Sequence, residues 1–434
     1  MNKILSAPMR RLSLLLLQGP ASPFLREVAR AAERRKATIH KINFCIGDLL
    51  FWWPRGGDWY RATDDEWPEY LKNYIVQYDI TDILMLGDGR PKHAAAIQVA
   101  QELGIRVHIF EHGYLRPDWL TLEPFGMSSA SRFPTDPQII RELAQDIAEP
   151  STKRLFDTRF ITYACYDLLF HMPNVALGWL AHPNYRTHGA VHPLLEYAGW
   201  IGKALRRKER RSAAQKLESK YLSDNGPEFF LFPLQLPGDY QIKVHAPLGK
   251  LFPLVESVIN SFARHAQDQT RLLFKTHPLD NGLSGWKSRI EEMAERFDVA
   301  GRVDLIDGGD LDKLVHRARG IVTINSTVGL TALLAHKPVI ALGAAIYDIE
   351  GLTAQTSLAE FWQRPTVPLK DMPETFAKAL AATTQFRGGF IGREAIQMGA
   401  EELCERLFSQ QTWATEDAPV KRSVFRYEAE LRAP

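Results

Sequence analysis

The stretch Leu272–Pro278, LLFKTHP, changes chemical character part-way along, and that change restricts the folds open to the chain. Leu272, Leu273 and Phe274 form an apolar run of the kind that fills a parallel strand covered on both faces, and Lys275, Thr276, His277 and Pro278 come directly after. In an open α/β sheet, ligands bind just past the carboxyl ends of strands, which is where these polar residues fall. Ile321–Gly329, IVTINSTVG, repeats the pattern: an apolar strand breaks into Asn325, Ser326 and Thr327, and a helix begins. Hydroxyls there cap the helix while its unpaired N–H groups face an anion. One strand end is basic and the other hydroxyl-rich, and together they read as two walls of a pocket for a phosphate-bearing ligand.

The rest of the chain alternates in the same way. Leu12–Leu17 reads as a strand, Pro23–Arg35 as an amphipathic helix capped by Ser22, and Thr38–Asn43 as a second strand. A helix over 66–78 precedes the buried strand Asp82–Leu86, DILML, which ends at Gly87, Asp88 and Gly89; a helix Pro91–Leu103 then leads to a strand Arg106–Phe110 that ends at Glu111, His112 and Gly113. Strands and helices alternating at this spacing predict a parallel sheet with crossover helices over 1–135. Residues 136–225 show no clear strand and read as a mainly helical insertion or linker. A second strand–helix series occupies 226–405, with strands near Phe229, Leu272, Arg302, 320–324 and Pro338, and 406–434 forms a tail. The expected architecture is two Rossmann-like, doubly wound α/β domains facing across a cleft, the GT-B plan of nucleotide-sugar glycosyltransferases; a two-domain binding protein fits the same pattern.

At 434 residues the chain is too long for one compact core, and 45% hydrophobic with 24% charged residues is the composition of an ordinary globular protein. A net charge of +2 supplies no global drive toward nucleic acid, so an anionic partner must meet a local patch. One candidate is Arg206–Arg211, RRKERR, either a solvated helix face or a contact for anionic lipid head groups. Cys45, Cys165 and Cys404 are too scattered for a disulfide framework or a metal site and suit a reducing compartment. No apolar run approaches the roughly 20 residues a spanning helix needs. Met9–Leu17, MRRLSLLLL, mimics a secretory signal but runs directly into the first strand pattern. The aromatics Phe51, Trp52, Trp53, Trp59 and Tyr60 read as core packing or as a lipid- or sugar-facing surface.

Several residues at the strand ends have the chemistry a site needs. Glu111 can accept a proton from an acceptor hydroxyl, with Gly113 letting the backbone turn close by; the alternative is a turn cap. Asp88 competes for the same role, or is a turn residue. His277, with Lys275 pointing the same way in an extended chain, can meet a phosphate, and Asn325, Ser326 and Thr327 can cap a helix and bind phosphate at once. Gln18, Tyr114, Arg116 and Asp118 are candidates on the sugar or acceptor side. Walker A, GxGxxG, zinc-spacing and GxSxG signatures are absent from the sequence.

Over nearly its whole length the chain resembles the capsule polysaccharide synthesis family of the KpsS and LipB type. The stretches that carry the resemblance are LLLQGPASPFLRE, INFCIGDLLFW, LMLGDGRPKH, FEHGYLRPDWLTLE, FPLQLPGDYQI, KTHPLDNG, INSTVGLTALLAHKPVIALGAAIYDIEGLT and the pair Phe361–Trp362. The resemblance implies an inverting β-Kdo transferase that takes Kdo from CMP-Kdo and starts a poly-Kdo linker on a phosphatidylglycerol-type lipid. It implies work in the cytoplasm at the inner membrane, alongside capsule synthesis and export partners, without metal or cofactor and without nucleic acid. By the same resemblance Glu111 and Gly113 match an acidic-x-Gly motif with Glu111 as general base, although His112 stands where a second carboxylate is common. His277 and Pro278 match a His-Pro motif at the CMP phosphate, and Ser326 and Thr327 match a paired-hydroxyl motif there. Two other readings stay open: a non-catalytic capsule assembly or export adaptor that binds CMP or glycolipid, and a nucleotide-sugar epimerase of the same two-domain plan.

Overall fold

The computed structural model describes residues 12–187, 189, 191–409, 422, 424 and 426–432. The start of Met9–Leu17 and most of the expected tail 406–434 lie outside those residues. Among the described residues the strands are β1 (Ser13–Leu16), β2 (Thr38–Asn43), β3 (Asp58–Trp59), β4 (Asp82–Leu86), β5 (Arg106–His112), β6 (Trp119–Pro124), β7 (Phe229–Pro233), β8 (Arg271–Lys275), β9 (Val303–Ile306), β10 (Gly320–Thr323), β11 (Val339–Ala341) and β12 (Gln385–Arg387). They form one sheet in the order β12-β6-β5-β4-β1-β2-β3 and another in the order β11-β10-β7-β8-β9. The second sheet is parallel throughout, and the first is parallel except where β6 runs antiparallel to β5 and β12 to β6. Both are the doubly wound α/β sheets that the apolar strands predict.

The described residues divide into two compact units, the first drawn from Met1–Met127, Thr152–Arg186 and Thr384–Ala414, the second from Ser128–Ser151, Thr187–Thr383 and Thr415–Pro434. The structure thus divides the chain elsewhere than at 135, 225 and 405. The helical stretch 136–225 is shared between the units, and Gln385–Phe408 returns to the first. That return is a packing effect. Phe386, Phe390, Ile396, Leu403 and Cys404 are buried with Phe24, Val28, Leu120 and Leu122 in one core, and Phe386 stands opposite Leu120 across β12 and β6.

Local sequence accounts for most elements. The helix Phe24–Arg34 buries Phe24, Leu25, Val28, Ala29, Ala31 and Ala32 at helical spacing, with Ser22 Oγ accepting the Phe24 amide at 3.4 Å. In β4 all five residues are buried; Asp82 is tolerated because Arg106 and His108 bind its carboxylate at 2.8 Å each. The second unit's core surrounds Phe230, Phe232, Leu272 and Phe274, with Trp362 edge-on to Phe230 and Phe262 and its indole N–H on Ser261 Oγ at 3.1 Å. Of the aromatic cluster near residue 52, Trp52 and Tyr60 are core residues while Trp53 is exposed.

One expected boundary shifts. β5 continues through His112 because Glu111 and His112 pair with Thr121 and Leu120 of β6, so Glu111 lies within the strand rather than after it.

Candidate functional site

In each sheet the chain winds outward in one direction and then resumes on the other side of its first strand. The carboxyl edge between those two strands is where α/β sheets hold ligands. In the first sheet this switch falls between β1 and β4, and in the second between β7 and β10.

On the first sheet, Gln18 lies just past β1, the turn Gly87–Arg90 just past β4, and Glu111 near the end of β5. Gln18 is buried in a polar cluster: its Nε2 donates to both Asp48 oxygens at 3.1 Å, and its Oε1 accepts from Arg90 at 3.0 Å. Asp48 also accepts the Phe44 amide at 2.9 Å. Burial pushes the neighbouring Lys41 ammonium below the ordinary lysine value, and the Asp48 charge resists that drop. Asp88 Oδ2 accepts the Met127 amide at 2.8 Å, the turn-fixing role set against catalysis in the sequence. Tyr114 donates its hydroxyl to Glu123 at 2.7 Å and its amide to Gln385 Oε1 at 2.8 Å. Gln18, Asp88 and Tyr114 are therefore all engaged in internal bonds.

Glu111 is bonded internally as well. Its Oε1 accepts the His112 amide at 2.9 Å, and a Cβ added at Gly87, where φ is +65°, would stand 3.2 Å from its Oε2. Burial lowers the pKa of the neighbouring Arg116 guanidinium, and the Glu111 charge opposes that drop. Gly113 is required sterically, because a Cβ there would lie 2.6 Å from the carbonyl carbon and oxygen of Trp119. The arrangement sets a carboxylate one residue from the end of β5, with a cationic neighbour that favours its ionised form, the form a general base needs.

On the second sheet, Ser326 caps the helix Thr327–Leu334, its Oγ accepting the Val328 amide at 3.3 Å. Asn325 ties the switch point together: its Oδ1 accepts from Gln235 Nε2 at 2.9 Å, and its Nδ2 donates to the Gln241 carbonyl at 3.0 Å. Thr327 begins the helix, whose N-terminus favours an anion. His277 lies beyond β8, and its Nδ1 accepts the Leu279 amide at 3.1 Å, so the neutral ring carries its proton on Nε2. β8 and β10 are separated by β7, so His277 and Ser326 come after strands about 10 Å apart at the level of the sheet, a span on the scale of a nucleotide. Pro278 is exposed, and Lys275 is buried. Burial lowers the Lys275 pKa, against the opposing charges of Asp307, Glu218 and Asp310, which ties this ammonium to the Asp307 side of the edge.

Asp307, just past β9, organises that side. It accepts from Thr276 Oγ1 at 2.8 Å and from Arg210 Nε at 2.5 Å, with Lys203 at 3.4 Å. The basic run is thus only partly a solvated face: Arg207, Arg210 and Arg211 line a depression of about 430 Å³ with Glu218, Asp307 and Lys313. Sequence reasoning missed Gln235, Asp48 and Arg90. Gln235 and Arg90 come after buried strands, the same signal that singled out His277, whereas Asp48 lies within the helix Ile46–Trp52 and only its contacts single it out.

Among the described residues no helix is long and apolar enough to cross a membrane. Residues 81–391 match the family of capsule polysaccharide biosynthesis proteins. The chain is 32% identical to the capsule polysaccharide export protein KpsS of Escherichia coli, over 86% of this chain and 95% of that one. It is 31% identical to the capsule polysaccharide modification protein LipB of Neisseria meningitidis serogroup B, over 88% and 92%. Among solved structures, the β-Kdo 2,7 transferase of Thermosulfurimonas dismutans KpsC aligns over 91% of this chain and 99% of that chain, at 15% identity and a TM-score of 0.44, a likeness from which no activity is carried over. The family match over most of the chain and the two full-length relatives agree with the motifs read from the sequence: this chain belongs to the capsule polysaccharide biosynthesis family.

Proposed function

We propose that the protein is an inverting β-Kdo glycosyltransferase that moves Kdo from CMP-Kdo to a phosphatidylglycerol-type lipid, working at the cytoplasmic side of the inner membrane. The acceptor hydroxyl oxygen attacks the anomeric carbon of Kdo as the bond from that carbon to the CMP phosphate oxygen breaks. Glu111 takes the hydroxyl proton, and CMP leaves with the bonding electron pair. Ser326, Thr327 and the N-terminus of their helix hold the phosphate, and the Nε2–H of His277 donates to the nucleotide as its charge develops. Asn325 holds the switch point through Gln235, and Lys275 adds positive charge at the end of β8.

The observation that carries the reading is the hydroxyl-bearing helix N-terminus at the second sheet's switch point, with His277 fixed in one tautomer two strands away. The test is to incubate the purified protein with CMP-Kdo and a short-chain phosphatidylglycerol and to weigh the products. The expected product has the mass of the lipid carrying one Kdo; release of free Kdo alone, or no turnover, counts against it. The E. coli relative is named as an export protein, which favours a second reading: a non-catalytic adaptor in capsule assembly or export. On that reading CMP or glycolipid binds without turnover, and changing Glu111 has no consequence.

A further inference from the structure

The helix Phe160–Ala181 has an outward face that the sugar-transfer reading does not use. Phe160, Ile161, Leu168, Leu169, Trp179 and Leu180 are between 42% and 72% exposed, and among its residues only Phe170 is buried. Ile161, Leu168, Leu169, Trp179 and Leu180 recur at helical spacing, so they form one apolar stripe along a helix of about 33 Å. The opposite face belongs to the first unit: Asn174 Oδ1 accepts the Gly47 amide at 3.2 Å, and the Tyr166 ring lies 5.5 Å from Phe51. Asp167 and His171, the helix's carboxylate and imidazole, approach each other at 3.7 Å. An apolar surface this long on an exposed helix marks an interaction site.

Its flanks indicate the partner. Arg159 directly precedes the helix and Arg154 comes five residues earlier, both exposed, with exposed Asp157 between them, while Phe160 and Tyr163 at one end and Trp179 at the other are aromatics of the kind that settle at a lipid–water boundary. Cations beside an exposed apolar stripe complement an anionic lipid surface. The helix is seated on its own unit along one side, and it is not long and apolar enough to span, so the contact is in the plane of the surface.

We propose that the outward face of Phe160–Ala181 lies in the surface of an anionic phospholipid bilayer, with the apolar stripe at the acyl boundary and Arg154 and Arg159 against lipid phosphates. This stands on the exposure of the helix and not on the identity of the sugar transferred.

Cys165 provides a probe on this helix, being exposed where Cys45 and Cys404 are buried. The full-length protein, labelled there with a polarity-sensitive dye, is mixed with vesicles of phosphatidylcholine alone or with phosphatidylglycerol added, and sedimentation is measured alongside. Binding to the phosphatidylglycerol vesicles with a blue shift of the dye is expected. The combined Leu169→Gln, Trp179→Gln, Leu180→Gln protein should bind on the order of a hundredfold more weakly, since three apolar side chains lose their transfer from water. The Arg154→Gln, Arg159→Gln protein should lose roughly tenfold and most of the salt dependence. All changed side chains are exposed in the wild type, so the fold should persist, as circular dichroism checks. No binding to phosphatidylglycerol vesicles overturns the proposal, as does binding that leaves the dye unshifted or survives the triple change. A wild-type dimer that the triple change makes monomeric, with vesicle binding unaltered, assigns the face to a second copy and also overturns it. Transfer to a soluble short-chain acceptor reads the reaction separately, so either proposal can fail without the other.

Discussion

Replacing Gly113 with alanine tests whether the backbone beside Glu111 is as tightly constrained as the structure implies. The new methyl would stand 2.6 Å from the Trp119 carbonyl carbon and oxygen and 2.7 Å from Gln385 Oε1, well inside contact distance. The Trp119 atoms are backbone held in β6 and cannot swing aside, so β5 and β6 must part. Overpacking of this kind costs about 1–3 kcal/mol. Parting also weakens the bond from the Gly113 amide to Trp119 O at 2.8 Å, and those from the Tyr114 and Leu115 amides to Gln385 Oε1 at 2.8 and 3.4 Å. At about 1 kcal/mol for each bond lost, the total is roughly 4–6 kcal/mol, a fall in melting temperature on the order of 10 °C for a unit of this size. Thermal melting of the intact chain by calorimetry measures this, and amide exchange at Tyr114 and Leu115 localises it. Gly56→Ala is the control, since nothing lies within 4 Å of a Cβ there, and it should melt with the wild type. A Gly113→Ala protein that also melts with the wild type would refute the steric argument and leave the glycine's place beside Glu111 without a physical basis.

Further expectations concern the residues of the two strand edges. Glu111→Gln should lower transfer by about 10²–10⁴ while calorimetry finds CMP binding within a few-fold of wild type, because an amide cannot take up the acceptor's proton. His277→Ala should weaken CMP binding roughly ten- to a hundredfold and lower transfer with it, the loss expected for a charge-assisted hydrogen bond; calorimetry on a folded variant decides it. The Asp307 carboxyl is drawn down to about 2: burial works the other way, but hydrogen bonds from Arg210 and Thr276 and the Lys203 charge outweigh it. Its folded value lies below the unfolded one, so its stabilisation is complete above about pH 4 and is lost as the pH falls toward 2. Asp307→Asn should flatten that part of the acid unfolding curve and cost about 1–2 kcal/mol at neutral pH, a figure reduced for a carboxylate 33% exposed.

Local chemistry alone determined much of this protein. Runs such as Ile83–Leu86 and Leu272–Phe274 have no polar face, so they read as strands covered on both sides, and the residues after them emerge at a sheet edge. That is why Glu111, His277 and Ser326–Thr327 were legible as strand-end residues, and why the capsule family motifs fall there. Tertiary structure decided which partners those residues take. Asp88 and Glu111 look alike in the sequence and both accept a backbone amide, but that of Glu111 comes from the adjacent His112, whereas that of Asp88 comes from Met127, a pairing that depends on how the chain returns after β6. Gln385 reaches Tyr114 across 271 positions, and Gln385–Phe408 joins the first sheet's core because Phe386 and Leu403 find buried partners there that no local pattern specifies. The helix Phe160–Ala181 is apolar on both its faces, so periodicity could not say which one packs. Only the seat that Gly47 and Phe51 provide for Asn174 and Tyr166 leaves the stripe from Ile161 to Leu180 facing outward.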